Sequence, residues 1–299
     1  MARRLSWSPA AYARFRDARL RPAKDLLDKV GKLTAASSLH ILDAGCGSGL
    51  SSRLLIDTYP HAKLTCIDSS PTMIEAARSD EALASRQFVH FEERSIEDAC
   101  LKSGSGELYD MIFANSVLQW VDEREQPLPT LLERMLSRVR PGGALAVQIP
   151  DTSAMPSHAI LRELADERGL PAAALPRANC SPPAAYFEAL LGPLCQTLDA
   201  WQTTYMMRLE GEEAVFDYVR SAALLPLLDA LGGHESDAAV DFEAAYRERL
   251  RGAYPAGPDG RTLYPFTRFF VVARRPSLFD VYSEYAAYHD HQLTKGWKS

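Results

Sequence analysis

L-H-I-L-D-A-G-C-G-S-G, residues 39–49, is the stretch whose reading decides the fold. Leu39, Ile41 and Leu42 make a short apolar run that reads as a buried strand, and Asp43 ends it. Gly45, Cys46, Gly47, Ser48 and Gly49 make a tight turn, and residues 50–59 carry helical periodicity. A strand, a glycine turn and a helix start together form a binding crevice at the strand's carboxyl end. Glycine lets the backbone approach a ligand where any side chain would collide.

The alternation continues downstream. Residues 63–68 read as a second strand, followed by a helix over 71–77, and residues 87–92 as a third strand. A fourth strand is expected at 109–114, with a helix over 128–139. Pro141-Gly142-Gly143 reads as a turn before a fifth strand at 144–149. Such alternation predicts a mostly parallel sheet with helices on both faces and right-handed crossovers. After Pro150 the pattern changes. Helical periodicity returns at 157–168, 183–191, 211–221, 223–231 and 238–252, and β-like runs occupy 197–209 and 264–273. These two runs are expected as further strands of the same sheet, one of them antiparallel.

The chain thus divides into an N-terminal helical lid (1–35), a ligand-binding core (36–150), a mostly helical cap and substrate region with one sheet strand (151–262), a last strand (263–275) and a tail (276–299). Arg14, Arg16, Arg19 and Arg21 crowd the lid, either as a solvated face or as a carrier of charge to the crevice. The tail tyrosines Tyr282, Tyr285 and Tyr288 fall three apart, as one face of a helix would require. His289-Asp290-His291 is not expected to bind metal, because helical residues two apart do not share a face.

The 299 residues carry a net charge of −6 and 46% hydrophobic residues. That balance argues against a nucleic-acid partner, which usually meets a basic excess. Local arginines can still serve a small anion. The five cysteines include no C-x-x-C pair, so packed, reduced thiols are expected rather than a zinc site or disulfide framework. No apolar run has the length to span a membrane, and the N-terminus lacks a signal-peptide core, so the expectation is a cytoplasmic chain.

The chemistry of the crevice follows from its charges. The dinucleotide fingerprint is G-x-G-x-x-G with a pyrophosphate on the helix start. Here the spacing is G-x-G-x-G, and Asp43 stands two residues before it. A carboxylate there disfavours a pyrophosphate and counts against a nicotinamide oxidoreductase. It suits a cationic ligand, and S-adenosylmethionine, with a sulfonium and an α-ammonium group, is the ligand expected. Asp43 would hold the ammonium directly or through water; the alternative is that it caps the turn. Asp68, ending the second strand, follows Gly49 at about the interval at which an acid meets ribose hydroxyls. Its alternative role as a helix cap falls better to Ser70, before Pro71. Ser69 lies beside it, and Met73 on the next helix serves either adenine or the core.

These segments, D-A-G-C-G-S-G and I-D-S-S-P-x-M, resemble class I S-adenosylmethionine-dependent methyltransferases. N-S-V-L-Q-W at 115–120, Q-I-P at 148–150, P-S-H at 156–158 and P-F-T-R at 265–268 resemble the trans-aconitate 2-methyltransferase family more narrowly, over roughly residues 7–274. The resemblance implies a Rossmann-like α/β fold with a seven-stranded, mostly parallel sheet, helices on both faces and a helical cap. It implies S-adenosylmethionine as cofactor, S-adenosylhomocysteine as its product, no metal, and a small carboxylic acid as partner. It places Asn115 beneath the methionine part of the cofactor, and Gln119 and Trp120 along the passage to the substrate; for Trp120 the alternative is packing of the cap. Ser95 and Ile96 occupy the place where relatives carry an acid toward adenine.

A carboxylate acceptor is already ionised at neutral pH, so no acid–base residue is expected, only positioning by Gln119, Trp120 and His158. Spare carboxylates need cations, and arginine's fork matches their plane. Arg268, between Phe266 and Phe269, is the first candidate, with a surface ion pair as its alternative. His158, Tyr264, Trp120 and Arg19 follow. Relatives carry an arginine before a proline in the cap, where this chain has Leu224-Leu225-Pro226; Arg220 is the candidate substitute. The expected reaction is esterification of trans-aconitate or a related di- or tricarboxylate. The rivals are another carboxylic acid, a phenol or an amine as acceptor, or a non-catalytic scaffold with the aromatic tail as interface.

Overall fold

Five residues, His40–Ala44, form β1, and every one is buried. A strand buried on both faces belongs at the centre of a parallel sheet. β1 pairs in parallel with Lys63–Asp68 (β2) on one side and Tyr109–Asn115 (β4) on the other. The computed structural model describes residues 15–31, 33, 38–101, 107–121, 127–171, 191–192, 195–211, 213–277 and 279. Residues 1–14 of the expected lid, the loop 102–106, most of the expected helix 183–191, Cys180 and nearly all of the tail lie outside them.

The sheet has seven strands in the order β3-β2-β1-β4-β5-β7-β6. β3 is Val89–Glu93, β5 Val139–Asp151, β6 Thr197–Glu210 and β7 Arg261–Arg274. β7 runs antiparallel to both neighbours, and the strands from β3 to β5 are parallel. The expectation of one antiparallel strand is met by β7. The expected turn at Pro141-Gly142-Gly143 is instead absorbed into β5 as an irregularity. The register shifts opposite Tyr109 and Met111, and the segment pairs sideways through Gly142 N to Arg275 O (3.1 Å) and Arg275 N to Gly143 O (3.1 Å).

One face of the sheet is covered by Arg16–Val30 (α1) and Leu50–Thr58 (α2), and by helices of the segment after β5. Pro71–Arg78 (α3) follows β2 and the short Glu81–Ala84 (α4) follows α3. The other face is covered by Ile96–Leu101 (α5) and Leu128–Ser137 (α6). On α6, Leu128, Leu131, Leu132, Met135 and Leu136 are buried, the spacing that keeps one helical face on the sheet. Burial of each such side chain stabilises by about 1.5–3 kcal/mol.

β6 and β7 stay paired beyond the end of β5, from Tyr205–Phe266 to Glu210–Arg261. Pro156–Glu167 (α7), Ala214–Arg220 (α8), Leu225–Ala230 (α9) and Asp237–Ala253 (α10) pack around this extension. Leu26 of α1, Met111 and Phe113 of β4, Phe216 of α8 and Tyr246 of α10 belong to one buried cluster. The helices after β5 are thus continuous with the core of one sheet face. Among the described residues no helix is long and apolar enough to cross a membrane.

Gly45 is the position where this packing tolerates least. Its φ is +77°, and a Cβ there would lie 2.3 Å from Val117 Cγ2. Gly45→Ala is expected to cost about 2–4 kcal/mol, through overpacking and a left-handed backbone. Chemical denaturation would measure it as a lowered midpoint with an unchanged slope.

Candidate active site

β1 ends beside β4 at the point where strand order reverses, the place where such sheets open a crevice. The amides of Gly45 and Cys46 both donate to Ile67 O, at 2.9 Å each, which turns the chain toward β2. At Gly47, φ is +55° and a Cβ would meet nothing within 4 Å, so the backbone here faces open space. Gly49 opens α2. Gly47 N donates to Asp68 Oδ2 (3.0 Å) and Ser70 N to Asp68 Oδ1 (2.8 Å). Asp68 therefore stands across the turn at the mouth of the crevice, with Ser69 exposed beside it. Burial raises its pKa, and the two amide donors oppose the rise.

Asp43 is fully buried, and it accepts from Ser51 Oγ (2.9 Å) and Ser52 Oγ (2.6 Å) of α2. These bonds pin the start of α2 beneath the turn. Burial pushes its pKa up to about 6, with the two hydroxyls opposing and Asp68 adding to the rise.

Along the crevice, Ser70 caps α3, with Met73 N donating to its Oγ at 3.4 Å, so Asp68 is released from that duty. Met73 is buried yet belongs to neither hydrophobic cluster. Ser95 accepts from Asp98 N (3.0 Å) as a cap of α5, and Ile96 joins the cluster of the second sheet face.

A polar group gathers at the carboxyl ends of β4 and β5, within an otherwise apolar face. Arg268 of β7 is 5% exposed. Its Nη1 donates to Ser116 Oγ (3.2 Å), its Nη2 to Tyr218 OH (3.1 Å), and its guanidinium lies 4.1 Å from the Phe266 ring centroid. The expected alternative, a surface ion pair, is excluded by that burial and by these neutral partners. Ser116 follows Asn115 at the end of β4 and has φ +56°, a strained value for a residue with a side chain. Its N donates to Gln148 O (2.9 Å), its O accepts from Gln119 Nε2 (2.7 Å), and its Oγ donates to Gln148 Oε1 (2.7 Å). Asn115 Oδ1, Gln119 Oε1, Gln148 Nε2 and Arg268 Nε are buried without a hydrogen-bond partner. Trp120 is half-buried, next to Gln119 on the short 3-10 helix Leu118–Trp120.

Two more expected residues reach this group. Arg19 of α1 is buried, donates from Nη2 to Ser221 Oγ (2.6 Å), and lies 5.0 Å over the Tyr218 ring. His158, near the start of α7, accepts from or donates to Ser157 Oγ (3.1 Å) and meets Phe266 edge-on at 6.1 Å. Burial, with Arg162 and Arg268 nearby, lowers its pKa to about 3, so the ring is neutral at physiological pH.

Two others are not brought in. Arg220 Nε donates to Glu243 Oε1 at 2.7 Å, so it braces α8 against α10. Tyr264 is fully buried, with its hydroxyl 3.0 Å from Ser157 Oγ and its ring against Tyr218, Tyr254 and Phe266. That is a core position, not a wall of the crevice. Sequence reasoning missed Ser116, Gln148, Tyr218 and Ser221. A polar residue inside the apolar run 144–149 was a readable signal for Gln148; nothing comparable marks Tyr218.

A family model described as a methyltransferase domain matches residues 42–145. Among solved structures, that described as a sarcosine dimethylglycine methyltransferase from Galdieria sulphuraria has a TM-score of 0.52 at 13% identity, covering 92% of this chain and 93% of that one. Coclaurine N-methyltransferase, bound to N-methylheliamine and SAH, has a TM-score of 0.50 at 11% identity, covering 86% and 73%. At these identities the likeness is one of fold. The fold and the matched domain are those of a class I S-adenosylmethionine-dependent methyltransferase. The trans-aconitate 2-methyltransferase of Sinorhizobium fredii is 39% identical over 273 residues, 90% of this chain and 98% of the relative. That of Paracidovorax citrulli is 38% identical over the same shares. The chain belongs to the trans-aconitate 2-methyltransferase family.

The raised pKa of Asp43 has a sign. Because the folded value exceeds that of an unfolded aspartate, this group's contribution to stability is full below about pH 4 and is lost as pH rises through about 6. Asp43→Asn removes the titration while keeping an acceptor for one serine. The stability of the native chain relative to the variant is expected to fall by about 2 kcal/mol between pH 4 and pH 7. Urea titrations at both pH values would measure it.

Proposed function

We propose that this enzyme transfers the methyl group of S-adenosylmethionine to a carboxylate of a small di- or tricarboxylic acid, with trans-aconitate as the leading candidate. The products are a monomethyl ester and S-adenosylhomocysteine. The observation that carries the acceptor is Arg268, a guanidinium 5% exposed whose bonded partners among the described residues are neutral hydroxyls. A buried cation without an acid is costly unless an anion arrives to pair with it. The names of the relatives point to the same class of acceptor.

The crevice residues fit the cofactor on their own terms. The open space over Gly47 suits the close approach of a bulky ligand, and the unpartnered Asn115 Oδ1 suits an ammonium donor. Asp68 is placed for ribose hydroxyls, with Ser69 at the rim. Met73, Ser95 and Ile96 would border adenine. Asp43 would act from beneath, by fixing α2 and adding negative charge behind the turn. Bound S-adenosylmethionine supplies an electrophilic methyl group.

The chain's own task is orientation. Arg268, bonded to the Tyr218 hydroxyl, and Arg19, over the Tyr218 ring, would give two cationic positions for carboxylates of one molecule. Gln119 and Trp120 would hold the passage, with α1 as lid and α7–α10 as cap excluding water. Alignment of this kind supplies about 7–11 kcal/mol in favourable systems. The displacement needs no general base, because the acceptor is already anionic, and a neutral His158 agrees with a positioning role. The chemistry asks for no metal.

Methyl-labelled cofactor offered with organic acids, phenols and amines tests the reading. Label in a base-labile ester of a di- or tricarboxylate is expected, and label confined to phenols or amines would sink it. Arg268→Ala should lower kcat/KM by at least about 30-fold, chiefly through KM, since breaking a buried charged contact costs about 2–5 kcal/mol. His158→Asn should leave the pH profile unchanged in shape, because no ionisation of His158 falls above about pH 3.

A further inference from the structure

The geometry points to Gln148 as a specificity-determining donor that, with Arg268 and Ser116, forms an anchor for a substrate carboxylate other than the one methylated. The inference rests on the reading above, that the substrate is an acid with more than one carboxylate.

Gln148 lies near the carboxyl end of β5, opposite Asn115 on one side and Phe270 on the other, and is fully buried. Its amide orientation follows from an argument about protons. A guanidinium only donates. Ser116 Oγ must therefore accept from Arg268 Nη1 at 3.2 Å, and its own proton goes to Gln148 at 2.7 Å. The oxygen of the amide faces the serine, and the NH2 group faces away.

That NH2 group meets no acceptor, and neither does Arg268 Nε. Each buried, unsatisfied donor costs about 1–3 kcal/mol, and more where charge is involved. A group that only accepts, carries negative charge and has two oxygens relieves both. A carboxylate has those properties. A phenol brings a proton of its own, and a protonated amine brings no acceptor at all.

Ser116 is held for this purpose against a backbone penalty. Its φ of +56° persists because its N–H, C=O and Oγ are all engaged, through Gln148 and Gln119. The strain places the hydroxyl between the Arg268 guanidinium, from which it accepts, and the Gln148 amide oxygen, to which it donates, so that one residue sets the polarity of the whole relay.

The group bound here is an anchor for a chemical reason. Esterification removes the charge that pairs with Arg268, so a product methylated at this position would leave a buried cation uncompensated. An anchor that stays anionic is paired in substrate, transition state and product alike. The attacking oxygen must then belong to another carboxylate of the same molecule, and monocarboxylic acids are expected to be poor substrates.

The test uses Gln148→Glu, with Ser116→Ala as a second variant should the first fold badly. The probes are trans-aconitate and its three monoamides, with S-adenosylhomocysteine calorimetry as the control for an intact fold. In the wild type the acid should outcompete the monoamide that is neutral at the anchor by at least about 30-fold. In Gln148→Glu the introduced carboxylate should repel the acid and accept from one monoamide, reversing that preference, while cofactor-product affinity stays within about twofold. Ser116→Ala releases the amide to flip, so the preference for the acid should narrow several-fold, Arg268 keeping the remainder, while cofactor-product affinity stays within about twofold. A uniform change for acid and amides in both variants, or none, would overturn the anchor. If the wild type esterifies no carboxylate, the functional reading falls with it, an outcome distinct from esterification with unchanged preference.

Discussion

A single carbonyl, that of Ile67, receives two consecutive amides from the glycine turn. That pair of bonds forces the chain leaving β1 to bend toward β2 and leaves Gly47 facing open space. Several features depend on it. Asp43 can collect Ser51 and Ser52 only because α2 begins immediately beyond the bend. Asp68 can reach Gly47 N only because the turn comes back to the end of β2. Val117 fills the space where a side chain on Gly45 would stand, so the β4 loop is seated against the turn and Asn115 and Ser116 are carried with it. The crevice and the polar group beyond it are thus built on one bend.

The polar group is unusual for its surroundings. Residues 144 and 146 of β5, Phe270 of β7 and the helices around them form a continuous apolar cluster. Gln148 and Arg268 continue that same face toward the carboxyl edge, where the sheet's register sets Gln148 opposite Phe270 and Arg268 opposite Pro150. Polar side chains in such a place destabilise the isolated fold unless they are paired. Native folds tolerate such groups mainly where they act on something from outside the chain. The rigidity of the surrounding sheet also suits orientation-based catalysis, which loses rate when reacting atoms shift by a fraction of their spacing.

Much of this was legible in the residues. Alternating apolar runs and helical periods marked the strands from β1 to β5 within a few residues, because short buried strands and amphipathic helices carry strong local patterns. The two late β-runs were readable as sheet strands, and β7 proved to be the antiparallel one. The turn at Pro141–Gly143 was misjudged, because local turn chemistry was overridden by pairing with Arg275. At the candidate site, Asp68, Asn115, Gln119, Arg19 and Arg268 were singled out by residue type and place, and the fold sets them at the carboxyl ends of the strands or beside the residues there. The partners of Asp43 were not legible, since nothing in its own neighbourhood says that hydroxyls eight and nine residues later will donate to it. The same holds for Tyr264 and Arg220: their partners, Ser157 and Glu243, are distant in sequence and are known only from the fold.

What separates an anchoring arginine from a structural one is therefore the acid, and the acid is a tertiary fact. Arg220 meets Glu243, Arg140 meets Asp110, and Arg249 meets Glu167, so each of these charges is settled within the chain. Arg268 is more deeply buried than any of those three, yet it is given hydroxyls, a ring and an amide relay. Supplying it with a glutamate would satisfy the fold and occupy the place of an incoming anion. Supplying it with neutral acceptors leaves the charge uncompensated at the end of the sheet where the crevice opens. On the proposed function, the stability forgone in the free protein would reappear as affinity for a group of opposite charge, because the desolvation of the cation has already occurred on folding.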